Sequence, residues 1–78
     1  MQSSEEVIRA EALFVSRLQA SQQPAPEEIR DAISETLRQL GEGGCAAAVA
    51  EEFGEHPEVA VIRMNWALSM VHGVLVAA

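Results

Sequence analysis

Few residues in this 78-residue chain are equipped for chemistry: one cysteine, two histidines and a cluster of glutamates. Cys45 follows two glycines at what reads as a helix start. A helix start can depress a thiol pKa and make it reactive. No base or second cysteine adjoins it in sequence, so it reads as a small packed side chain. His56 and His72 stand eleven and sixteen residues further along, a spacing that matches no zinc pattern, so no metal site is expected. Glu51, Glu52, Glu55 and Glu58 are the densest run of charge. Paired carboxylates serve acid–base chemistry only in a pocket that shifts their pKa values. These flank a turn, where solvation is easy, so the plain reading is a solvated face and the functional one an acidic docking face for a basic partner. The segment GEGG, 41–44, lacks the lysine and the strand context of a phosphate loop. With no nucleophile–base arrangement and no cofactor motif, the expectation is a non-enzyme without cofactor.

Two further sets of residues stand out by where the helical wheel puts them. Glu11 and Arg63 are lone charges on otherwise apolar faces. An unpaired buried charge costs several kcal/mol, on the order of an isolated desolvated ion, so a structural ion pair between them is expected. Asn65, Ser69 and His72, at spacings of four and three, form the polar stripe of the C-terminal helix and a second candidate contact surface.

The elements that must carry these residues read as four helices. The first spans about Ser4 to Gln19, with Ser3 as N-cap and Glu6 completing a capping box. Its apolar side is Val7, Ile8, Ala10, Phe14, Val15 and Leu18. A polar linker, 20–25, leads to Pro26 at a first helical position, followed by Glu27 and Glu28 on the favourable side of the helix dipole. The second helix carries the stripe Ile29, Ala32, Ile33, Leu37 and Leu40, and Gly41 closes it. A short third helix, about Cys45 to Phe53, is anchored by Val49 and Phe53 and stopped by Gly54. His56 and Pro57 open the fourth, an apolar segment whose only full charge after Glu58 is Arg63.

Ala50 and Gly54 are four apart, Phe53 precedes the glycine, and a helix begins three residues beyond it. The stretch AAAVAEEFGEHPEVAVIRM thus resembles the helix-turn-helix motif of bacterial regulators over about twenty residues. In that motif the alanine marks where two helices touch and the glycine supplies a positive φ in the turn. The resemblance implies a DNA-binding transcription regulator, the alternative reading of function. The sequence departs from it at Glu55 and Ala60, where apolar and branched residues are usual. From Glu42 to Glu58 there are five acids and no Lys or Arg. DNA readout requires cations on phosphates and donors at base edges, so nucleic acid is not the expected partner.

Composition sets the frame. Twelve acids against five arginines, with no lysine, give a net charge of −7. Alanine-rich, all-arginine usage fits a GC-rich bacterial genome. One cysteine fits a reducing cytoplasm. The acidic N-terminus does not read as a signal peptide. A membrane anchor at 59–78 is disfavoured by Arg63, Asn65, Ser69 and His72. The reading is a single all-α domain, 1–78, with the fourth helix as its longest and central or interfacial element. If that helix keeps apolar surface exposed, a homodimer through Val61, Met64, Leu68, Val71 and Leu75 would cover it. The expected function is a small acidic, cytoplasmic protein–protein interaction module or regulatory adaptor.

Overall fold

The structure is a computed structural model, and it describes residues 4–76. It is all-α. Three α-helices, α1 (Ser4–Val15), α2 (Pro26–Glu55) and α3 (Pro57–Val76), pack around one core, with a 3₁₀ turn at Ala20–Gln22 between the first two. The Cα radius of gyration is 11.5 Å. Ser3, the expected N-cap of α1, lies outside the described residues.

The expected helix count of four is corrected to three. What reads as a second and a third helix runs on as one element, α2, in which two helical segments meet at a kink at Gly41 with no loop between them. Gly41 alone leaves helical dihedrals, at φ 70° and ψ 172°, a region open essentially to glycine. Glu42, Gly43 and Gly44 stay within the helix. Glycine costs about 1 kcal/mol per helical position relative to alanine. Burial of Cys45 (0% exposed) and Val49 just beyond helps offset that cost.

The supposed turn glycine is corrected as well. Gly54 is inside α2, and its φ is not positive. The chain breaks at His56, with φ −136° and ψ 63°. The cause is Pro57, which disfavours the α conformation in the residue before it and suits a first helical position. α2 and α3 are therefore joined by one residue, and the glycine-centred turn expected between a third and a fourth helix is absent.

The centre of the molecule is α1, a place the sequence reading gives to the C-terminal helix; α3, with 20 residues, is the longest uninterrupted helix, because α2 is divided at Gly41. Ala10, Ala12 and Leu13 have no exposure and Phe14 has 5%. Their spacing covers much of the helix circumference, so α1 is enclosed on several sides by α2 and α3. From α2 come Ile29, Ile33 and, past the bend, Cys45 and Val49; from α3 come Ala60, Ala67 and Val71. Small residues on α1 and α3 let the helices approach closely, since interaxial distance follows side-chain size. Phe14 stacks on Phe53, with ring centroids 6.0 Å apart and planes at 18°. The start of α2 is ordered locally: Glu28 Oε1 accepts from the Ala25 amide at 2.9 Å, and Pro26 occupies the first position.

Candidate functional site

Arg63 is the most constrained polar side chain among the described residues, and it does not pair with Glu11. Its Nε donates to Phe14 O at 2.7 Å. Its Nη2 donates to Ser16 O at 3.0 Å, Leu18 O at 2.9 Å and, more weakly, Leu13 O at 3.3 Å. These carbonyls end α1 and begin the loop after it. A helix leaves its last four carbonyls without intrahelical donors and carries a partial negative charge there. Arg63 meets both needs from another helix, so the expected ion pair is corrected to a charged cap. The guanidinium also lies 5.1 Å from the Trp66 ring centroid and 5.8 Å from that of Phe14, within cation–π range. Burial lowers its pKa from the ordinary arginine value. A cleft of about 230 Å³ opens beside it, lined also by Phe14, Val15, Ala48 and Glu52. The Nε and Nη2 donors are committed to carbonyls, and Arg63 forms one wall of that cleft.

Glu11 is half-buried on α1 and acts on Cys45 instead. Burial pushes the Cys45 thiol up, and the charge of Glu11 raises it further. The thiol is fully enclosed, so it is held protonated and inert, the opposite of an activated helix-start cysteine. Cys45 lies about one turn beyond the Gly41 kink, in the second helical segment of α2.

The glutamate cluster falls at the joint between α2 and α3. Glu51, Glu55 and Glu58 are exposed and Glu52 is half-buried. His56 Nδ1 lies 2.7 Å from Glu52 Oε1. Ligand atoms of Glu52, Glu55 and His56 come within 4.8 Å of one another, and carboxylate with imidazole is a donor set for divalent transition ions. Sequence spacing sets His56 against Cys45 and His72 and does not single out this trio. Its signal was the i, i+3, i+4 spacing at a helix end, which points three side chains the same way.

Asn65, Ser69 and His72 share the outward face of α3, and all three are exposed. His72 Nδ1 reaches Glu6 Oε1 of α1 at 3.5 Å. The same face continues toward the joint through Ile62, 71% exposed, flanked by Val59 at 64% and Val61 at 48%. The proposed dimer face is drawn differently: Val71 is 1% exposed and belongs to the core, and Met64 and Leu68 pack against that core. The Leu75 side chain lies outside the described residues. What α3 leaves uncovered is its first two turns, directly beside the acidic joint.

No helix among the described residues is long and apolar enough to cross a membrane. No protein-family model, curated protein or solved structure matches this chain.

Proposed function

We propose that the chain is a non-catalytic protein–protein interaction module that docks a basic, amphipathic segment of a partner protein. The observation behind this reading is the juxtaposition at the α2–α3 joint. Val59, Val61 and Ile62 are exposed on the first two turns of α3, and Glu51, Glu55 and Glu58 are exposed around them. An apolar centre with a charged rim is the usual anatomy of a docking patch. The acids favour a partner with Lys or Arg at its edge, both by complementarity and by speeding encounter. They also disfavour nucleic acid, whose phosphates they repel. A second copy of this chain would bring a second acidic rim against the first, so a homodimer here is the less favoured arrangement.

The test is a tagged pull-down from host lysate, run with and without nuclease and repeated with Glu51, Glu52 and Glu55 all changed to Arg. The expected result is a nuclease-resistant protein partner, lost with the charge-reversed variant while circular dichroism still shows a folded protein. Retention of that partner by the variant overturns the reading. Recovery dependent on nucleic acid would do so too.

A further inference from the structure

We propose that a groove among all three helices, at the opposite end of α3 from the docking corner, binds small apolar carboxylates. The groove holds about 230 Å³. Its floor is Ile33 and Leu37 of α2 with Val71 and Val74 of α3; its rim is Arg9 of α1 and Arg30 and Ser34 of α2. A neighbouring hollow of about 250 Å³ shares Arg30 and Val74 with it. Each is a little smaller than the roughly 300–1,000 Å³ of drug-sized ligand sites, which suits a compact ligand.

The chemistry of the lining selects the ligand. The chain has twelve acids against five arginines, yet two of those arginines border this groove and none of its lining residues is acidic. Every polar side chain on the rim can donate a hydrogen bond. Arg30 is exposed and has no ion pair or hydrogen bond among the described residues. Arg9 is held by Glu5 at 2.7 Å in an i, i+4 pair whose acid is 65% exposed, a contact of little energetic weight that an incoming anion can replace. A guanidinium binds a carboxylate through two parallel hydrogen bonds. The apolar floor beneath it then takes a hydrocarbon body. A compact acyl or aromatic carboxylate satisfies both halves; a bare anion leaves the floor wet, and a neutral hydrocarbon leaves Arg30 unused.

Calorimetric titration with octanoate, 1-octanol and acetate tests this on the full chain. The expected result is saturable binding of octanoate with one site per chain, at least tenfold tighter than either comparison compound. Arg30→Gln and Ser34→Glu, both at exposed helix positions, are each expected to weaken octanoate at least tenfold with the helical spectrum retained. Arg38→Gln, outside the groove, is expected to leave binding unchanged. Equal affinity for octanol and octanoate overturns the proposal. So does wild-type affinity in both groove variants, or no saturable octanoate binding at millimolar concentration. None of these outcomes depends on the partner pull-down, so the two readings stand or fall separately.

Discussion

At the residue scale, Arg63 shows how a buried charge can be satisfied without an opposite charge. Four carbonyl oxygens at the end of α1 accept from it, and each hydrogen bond to a charged group contributes about 1.5–3 kcal/mol in favourable cases. Arg63→Ala is expected to destabilise the fold by about 3 kcal/mol. Arg63→Lys should recover only part of this, because one ammonium lacks the planar fork. Urea denaturation gives both values. The charge swap Glu11→Arg with Arg63→Glu is expected to show no rescue, with coupling within about 0.5 kcal/mol; a double variant more stable than either single one would restore the ion pair. Cys45 makes a pH prediction. Its folded pKa is raised above the unfolded thiol range of about 8.5, so the folded state holds the proton more tightly. The associated stability is fully present below the unfolded pKa and is lost as pH rises through the folded one. Cys45→Ala should lower stability at pH 7 by about 1 kcal/mol through lost packing and flatten the decline above pH 8.5, as measured by melting at stepped pH.

At the element scale, the two glycines read as helix boundaries behave differently. Gly41 occupies dihedrals that an L side chain resists, and Gly41→Ala is expected to cost about 1–3 kcal/mol although nothing lies within 4 Å of the added Cβ. Gly54 is helical with open space around it, so Gly54→Ala is expected to stabilise by about 0.5–1 kcal/mol. Thermal denaturation of the two variants gives the signs. In a helix-turn-helix the second substitution would be costly, so a stabilised Gly54→Ala also counts against that turn. The end of α2 was legible, but through Pro57 and not through Gly54. A proline restricts its predecessor whatever the surroundings. A glycine only permits a break, and whether one occurs depends on packing.

At the scale of the whole molecule, the question is what the uncovered start of α3 is for. Val59 and Ile62 are too exposed to hold the fold, so Val59→Ser with Ile62→Ser should leave the melting temperature within a few degrees. The same pair should reduce partner capture as strongly as the glutamate reversal does, since apolar patches beside charged rims carry docking energy. A large loss of stability in that double variant, measured by melting, would return those residues to the core and remove the docking patch.

The sequence by itself determined the elements: an all-helical chain, an acidic surface with one cysteine, the proline that opens α3, and the outward stripe Asn65, Ser69 and His72. These follow from local rules, namely the 3.6-residue period, capping chemistry and the dihedral limits of proline. Tertiary structure alone decided the rest. Burial of Cys45 and Val49 helps hold the helical segment that resumes beyond the Gly41 kink, through Gly43 and Gly44. Enclosure of α1, and not α3, follows from small residues on facing helices, a property of pairs that no single wheel displays. Arg63 finds carbonyls 45 to 50 residues away in sequence, because main-chain acceptors at a helix end leave no mark in residue types. The arginine-rimmed groove likewise draws on three helices at once, and charge counted along the chain averages it away.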